Sequence, residues 1–308
     1  MALVNIEEDH IPSLDGKVSI ITGGASGIGW AATQLLSEKN AVVHVLDLHK
    51  PKEDLKNVHF HSCDVTRWEA LRLIFDRIGQ IDYAFANAGI TETSDFFADH
   101  QDNEGNLLEP KYEVFDVNIR AVFNFVKLAW STMRKKNTSG SIVITTSAVA
   151  YSPEHSLPVY SSSKLTVIGL IRSLRSALPQ QGITINGVAP SMTSTTLLPK
   201  NLEGQMRAQG LPISDARVVA RALVYSAIAK QKRRVEAYGR EKEAEKWVEE
   251  RWNGRIIMTL GEQYAELEEP IADLRPFWFG LENFELARLQ QAATDFRHLA
   301  VNKGSPVV

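Results

Sequence analysis

Short apolar, β-branched runs alternate with amphipathic stretches from residue 17 to about residue 190, and this alternation narrows the fold more than any other feature of the chain. Residues 17–22 (KVSIIT) read as a strand buried on both faces. The run passes directly into a glycine-rich turn, Gly23 to Gly29, and then into a helical pattern over 28–37. Strand patterns follow at 41–46, 58–63, 81–86, 141–146 and 183–188, separated by helical patterns at 67–78, 111–133 and 159–178. So regular a βαβ succession predicts an α/β protein: a doubly wound parallel sheet with helices on both faces, as a single domain with a C-terminal helical extension.

Composition removes several function classes. The 308 residues are 44% hydrophobic and 23% charged, with 34 basic against 37 acidic side chains. Such a chain can build a full core, and its net charge of -3 gives no electrostatic reason to expect a nucleic acid or an anionic membrane as partner. Cys63 is the one cysteine, so no internal disulfide forms, and no Cys/His cluster has metal-ligand spacing. Residues 1–10 carry Glu7, Glu8 and Asp9 where a signal peptide needs basic residues and an apolar core, and no run of about eighteen apolar residues occurs. The terminal Ser305-Pro306-Val307-Val308 matches neither a prenylation nor a peroxisomal signal. A cytoplasmic protein without a metal is expected.

The last third departs from the alternation. Residues 214–229 read as a helix capped by Ser214 or Asp215. Residues 230–251 mix eight basic with six acidic side chains, which predicts a solvated helix laced with ion pairs, its apolar minority (Val235, Tyr238, Ala244, Trp247, Val248) on one face. A last strand is expected at 255–260. Beyond it lie Pro276 to Gly280 (PFWFG) and a periodic segment with Leu281, Phe284, Ala292, Phe296 and Leu299. Large apolar groups there need a surface, on the body or on a neighbouring subunit. The expected organisation is therefore a leader over 1–16, a dinucleotide-binding and catalytic body over 17–260 with a lid at about 191–212 and a charged helical insertion at about 230–252, and an extension over 261–308.

Two places carry chemistry. Glycines at 23, 24, 27 and 29 let the backbone turn tightly and approach a pyrophosphate, which then rests on the amides and positive end of the following helix. Asp47 ends the next strand, where a carboxylate accepts hydrogen bonds from adenine-ribose hydroxyls and repels a 2′-phosphate, so it favours NAD over NADP, with His49 and Lys50 as the opposing positive neighbours. Tyr160 and Lys164, four residues apart, share one face of a helix; an ammonium beside a phenol favours the phenolate and lowers a pKa that is normally about 10.

With these motifs in view, the sequence from about 16 to 260 resembles the short-chain dehydrogenase/reductase family, whose Rossmann fold carries a TGxxxGxG turn. Thr22, Gly23, Gly27 and Gly29 match that turn, and Ser26 and Ile28 fall within it. Cys63-Asp64-Val65 looks like the family's adenine-contacting turn, and Asn87-Ala88-Gly89 is similar to its NNAG motif with Ala86 in place of the first asparagine. The resemblance implies a catalytic tetrad of Asn118, Ser147, Tyr160 and Lys164. Asn186 to Ser191 resembles the NxVxPG segment, with Ser191 where glycine is usual, and implies cofactor contacts from Pro190 and Thr195.

It also implies a substrate site lined by the lid, for which Val149, Tyr151, Met192, Leu197, Leu198 and Met206 are the candidates, and their character suggests an apolar ligand. The expected activity is oxidation of a secondary alcohol of an apolar small molecule by hydride transfer to NAD, with Tyr160 as general base. Its alternatives are an NADPH-dependent ketone or acyl-thioester reductase and a non-redox scaffold, isomerase or cyclase on the same fold. The family's usual assembly implies a homodimer or homotetramer. The segment 253–271 resembles fungal-type members that act on secondary metabolites.

Overall fold

The computed structural model describes residues 3–295 and 297. Its central sheet is built from β1 (Val18–Thr22), β2 (Val42–Asp47), β3 (Val58–Ser62), β4 (Tyr83–Ala86), β5 (Ser141–Thr145), β6 (Thr184–Pro190), β9 (Ile256–Leu260) and β10 (Gln263–Glu266), after the two-residue strands β7 (Lys230–Gln231) and β8 (Glu250–Arg251) are set aside as a separate pair. The spatial order is β10-β9-β6-β5-β4-β1-β2-β3. Every neighbouring pair is parallel except β9 with β10. The order reverses between β1 and β4, and the crevice at the carboxyl ends of those strands is where an open sheet of this kind receives a ligand.

Apolar runs without alternation make these strands fit between two helical layers. Ile20 and Ile21 point to opposite faces and are both fully buried, as are Ile142, Val143 and Ile144. One face packs on α2 (Trp68–Ile78), α4 (Val122–Lys135) and α5 (Pro158–Leu174), where Phe75 meets Phe125 edge to face at 5.3 Å. The other packs on α1 (Gly27–Glu38) and α7 (Ala216–Ile228) through Leu35, Leu36, Val219 and Leu223, and residues before β1 add Ile6, Ile11 and Leu14 to that core. Each such aliphatic side chain contributes about 1.5–3 kcal/mol on burial.

The helix expected at 111–133 is present with a defect that matters for the site. It opens with α3 (Glu113–Phe115), passes through a π-helical turn at Asp116–Ala121, and continues as α4. The helix expected at 159–178 ends at Leu174, followed by a short 3-10 turn at Leu178–Gln181. Asp215 caps α7, its carboxylate accepting the Arg217 N–H at 2.8 Å.

The charged insertion is not helical, which corrects the reading of 230–252. β7 and β8 pair antiparallel, Gly239 takes a left-handed φ of 60°, and only a 3-10 turn at Glu243–Lys246 winds between them. Some of the insertion's charges, Arg233, Arg234, Glu236 and Lys246 among them, are partly or fully buried against partners, while Lys232, Arg240, Lys242 and Glu249 stay exposed. Arg233 pairs with Glu269 at 2.7 Å, Glu236 with Arg275 at 2.6 Å, and Arg234 with Glu241 at 3.2 Å, while Val235 is buried and Trp247 exposed. Partners fixed on the extension and within the loop itself outweigh the helix-forming charge pattern.

The sheet runs on past residue 260 into β10, to which Leu3 adds an isolated bridge at Ala265. Then come α6 (Lys200–Ala208) in the expected lid and α8 (Glu268–Asp273), α9 (Arg275–Phe279) and α10 (Leu281–Ala293) in the extension. Arg288 fastens α10 to the 239–241 loop through the Gly239 and Glu241 carbonyls. The aromatic segment itself stays in solvent: Phe277 is 90% exposed, with Trp278 and Phe279 also exposed. Phe296, Leu299 and the terminal 305–308 lie outside the described residues. Among the described residues no helix is long and apolar enough to cross a membrane.

Candidate active site

Strand ends gather the candidate residues on one edge of the sheet. Gly23 follows β1, Asp47 ends β2, Asn87 to Gly89 follow β4, Ser147 follows β5, and Pro190 ends β6. Parallel pairing therefore brings segments more than a hundred residues apart to one crevice.

The glycine turn is held by side chains as well as by its own backbone. Gly29 has no room for any side chain, since a Cβ there would stand 2.0 Å from the Gly23 carbonyl oxygen, and Gly23 takes a φ of 64° close against Ala88. The Thr22 hydroxyl accepts the N–H groups of Asn87 and Ala88 at 3.0 and 3.1 Å, and the Asn87 amide donates to the Thr22 and Gly23 carbonyls. Thr145 donates to Asn87 Oδ1 at 3.0 Å, so β1, β4 and β5 are latched together at their ends. Neither a side-chain cap nor an acid occupies the first turn of α1, and Ser26 at its N-cap makes no capping bond. A tight turn, amides without a local acceptor and the positive end of a twelve-residue helix suit the pyrophosphate of a dinucleotide.

Asp47 faces the same turn. Its Oδ2 accepts the Ala25 N–H at 3.1 Å and its Oδ1 the His49 N–H at 3.3 Å. Lys50 turns to Asp54 at 2.8 Å. Asp64 is exposed, its carboxyl held below the usual range by the hydroxyl and amide of Thr66, and Val65 packs against the core. Across the crevice, Thr195 stands over the glycine turn, its Cβ and Cγ2 both 3.3 Å from where a Gly27 side chain would begin, although 168 residues separate the two in sequence.

Tyr160 and Lys164 lie on α5 as the periodicity predicts, the ammonium 5.7 Å from the centre of the phenol ring. Lys164 is enclosed and donates to the Thr145 carbonyl at 3.1 Å; burial pushes its pKa down to about 8. Burial pushes the Tyr160 phenol up, and the Ser147 hydroxyl beside it pulls the other way. In the protein alone desolvation therefore sets the direction, and Ser147, rather than Lys164, supplies the opposing pull. Ser147 is buried, donates to the Pro190 carbonyl at 3.3 Å and accepts the Val149 N–H.

Asn118 sits in the π-helical turn between α3 and α4. Fully buried, it accepts the Ile90 N–H at 2.9 Å and donates to the Ile90 carbonyl at 2.8 Å and to Ser163 at 3.1 Å. The point where a Gly89 side chain would begin is 3.2 Å from Lys164 Nζ and 3.3 Å from Asn118 Oδ1, so those two polar groups flank one spot. Ser191, in the glycine position of its motif, keeps a negative φ and donates its N–H to Thr259 at 2.9 Å.

The substrate candidates divide. Val149, Met192 and Met206 are half-buried, Leu198 is buried as a packing residue, and Leu197 is 54% exposed. Tyr151 gives its hydroxyl to Glu268 at 2.8 Å, an acid also bound by Arg172 and Arg175. A cavity of about 210 Å³ lies between the 234–241 loop and the segment after α5 (Arg175, Pro179, Gln180), another of about 620 Å³ lies between the 235–246 loop and the extension, and none of the tetrad residues lines either. Sequence reasoning missed Glu92, whose carboxylate accepts the Tyr160 N–H at 2.7 Å, and Thr145, which touches both Asn87 and Lys164. No pattern in the sequence marks either contact. In the leader, Glu7, Asp9 and His10 bring three exposed potential metal-ligand atoms together.

Residues 17–206 match the family model for short chain dehydrogenase. The chain is 49% identical over 299 residues to short-chain dehydrogenase/reductase prx4 of Penicillium roqueforti, covering 96% of this chain and 90% of that one. It is 48% identical over 316 residues to a short-chain dehydrogenase/reductase of Stachybotrys chlorohalonatus, covering 99% and 98%. Among solved structures, that of gox2181 aligns with a TM-score of 0.61 and 26% identity over 71% of this chain and 91% of its own.

Proposed function

The chain belongs to the short-chain dehydrogenase family, whose members bind nicotinamide cofactors, and from that membership we propose that it is an NAD-dependent oxidoreductase that oxidises a secondary alcohol of an apolar small molecule to a ketone. The observation that carries this reading is the convergence of Ser147, Tyr160 and Lys164 at the strand ends that also hold the glycine turn and Asp47. A bound nicotinamide would supply the hydride acceptor. Tyr160 takes the proton of the alcohol as general base, and Ser147 donates a hydrogen bond to the same oxygen as its charge develops. Lys164 holds the cofactor ribose and its charge favours the phenolate; Asn118, flanking the same spot as Lys164, holds the water through which the proton leaves. Gly23, Ser26, Gly27, Ile28 and Gly29 hold the pyrophosphate; Asp64, Val65, Asn87, Ala88 and Gly89 line the adenosine and ribose path, and Pro190 and Thr195 the nicotinamide end.

NAD is preferred to NADP on the strength of Asp47, whose carboxylate would repel a 2′-phosphate. Two fungal relatives of nearly equal length support a role in fungal secondary metabolism. We assign the chain to a cytoplasmic homodimer or homotetramer with a lid at about 191–212. The test is NADH formation at 340 nm with NAD and a panel of apolar secondary alcohols, in wild type and in Tyr160→Phe. At least a thousandfold loss of turnover in the variant, with NADH binding kept within about twofold, is the expected result. Turnover retained by Tyr160→Phe would remove the assigned base.

A further inference from the structure

Helix α5 carries Tyr160 in its first turn, yet the sequence gives that turn nothing with which to end its backbone. Leu157 at the N-cap has no side-chain acceptor, Pro158 follows it, and no acid lies in the first turn. The leading N–H groups of a helix need an acceptor from elsewhere, and a negative charge there is attracted by the helix dipole. Glu92 supplies both, its Oε2 accepting the N–H of Tyr160 itself at 2.7 Å from 68 residues away in sequence. The same segment is clamped two residues earlier, where Asn118 takes both polar groups of Ile90. Residues 87–92 thus run from the glycine-turn latch at Asn87, through the Asn118 clamp, to the main chain of Tyr160.

We propose that Glu92 is a positioning residue for Tyr160: its carboxylate caps the helix on the tyrosine's own amide, fixing where the phenol stands and placing a negative charge one tyrosine length from it. The proposal rests on the reading of Tyr160 as the proton-transfer group. Glu92 does not touch the reacting atoms; it acts through the tyrosine. The charged groups set against Tyr160 are then Lys164, which favours the phenolate, and Glu92, which opposes it. A unit charge one tyrosine length away, about 7 Å, shifts a titration by about 0.4 pKa units at the dielectric of water and by about 1.7 units at an effective protein dielectric of about 20.

The experiment labels the tyrosines with carbon-13 at Cζ and follows their titration by NMR in protein saturated with NAD, in wild type, Glu92→Gln and Glu92→Ala. Tyr160→Phe identifies the Tyr160 line by its loss. The expected result is a midpoint lower by between about 0.4 and about 1.7 units in both Glu92 variants. Amide hydrogen exchange separates cap from charge. Tyr160 keeps its protection in Glu92→Gln, which retains an acceptor, and exchanges about tenfold faster in Glu92→Ala. Glu92→Gln is nearly isosteric, so the test does not depend on the alanine variant folding well. An unchanged midpoint in both variants would overturn the proposal. A Tyr160 line that stays above the ordinary phenol value of about 10 with NAD bound would instead count against the general-base reading, and its response to Glu92 would still be read.

Discussion

Lys164 holds its ammonium in a place where water does not reach, and the protein bears a cost for it. Its folded pKa, about 8, lies below the ordinary lysine value of 10.5, so between those values the unfolded chain keeps a proton that the folded chain has released. Stability therefore rises with pH across that window, and below pH 8 the enclosed charge costs the fold on the order of 3 kcal/mol at most. Lys164→Met removes the charge and also the bond to the Thr145 carbonyl, which offsets part of the gain. We expect the variant to lose turnover and yet to be about 1–2 kcal/mol more stable than wild type at pH 7, the difference shrinking toward pH 10. Denaturant unfolding at the two pH values reads this directly; a variant less stable than wild type at pH 7 would mean that the hydrogen bond outweighs the burial of charge. At this scale much was legible. Four-residue spacing put Tyr160 and Lys164 on one helix face, and a strand-ending acid put Asp47 at the glycine turn. The balance of desolvation against charge was not legible, because burial is a property of everything packed around a residue. Glu92 was hidden for the same reason, being a cap delivered from another segment.

Between the strands and the extension, one acid ties several elements together. Glu268, at the start of α8, is 1% exposed and receives both Arg172 and Arg175 from α5 and the end of its run, together with the hydroxyl of Tyr151 from the turn that follows Ser147. Burial alone would raise its pKa, but the Arg172 bonds and the arginine charges hold it below the carboxylate range. Removing it strands Arg175, 5% exposed, with Glu236 as its remaining partner. Glu268→Ala is expected to lower stability by about 3–5 kcal/mol, whereas Glu268→Gln, which keeps hydrogen-bond capacity, costs less. Urea unfolding of both variants checks it, and a loss under 1 kcal/mol in the alanine variant would show that the arginines find other partners. This network also explains why the 230–252 run misled the sequence reading. Its mixed charges fit a solvated helix by pattern, but Arg233, Glu236 and Lys246 have fixed partners on α8, on α9 and at Arg175 just past α5 that only the folded chain brings near. Likewise the π-helical turn at Asn118 leaves no trace in a hydrophobic period, since one extra residue in a coil shifts the pattern by less than its own scatter.

On the scale of the whole molecule, the sheet was readable because parallel strands buried on both faces need apolar runs of a length and composition that few other structures use. The antiparallel β10 was not, since Gln263-Tyr264-Ala265-Glu266 is short, half-polar and an edge strand with one neighbouring strand to satisfy. The reversal between β1 and β4 turns five strand ends into one crevice, and the account holds that this crevice binds a nicotinamide cofactor with Asp47 selecting the form without a 2′-phosphate. The measurement that meets this claim most directly is titration of the purified protein with NADH and with NADPH by nicotinamide fluorescence, in wild type and in Asp47→Ala. The account predicts at least tenfold tighter binding of NADH by wild type and a preference that falls to within a few-fold in Asp47→Ala. Tighter binding of NADPH, or binding of neither, would contradict it.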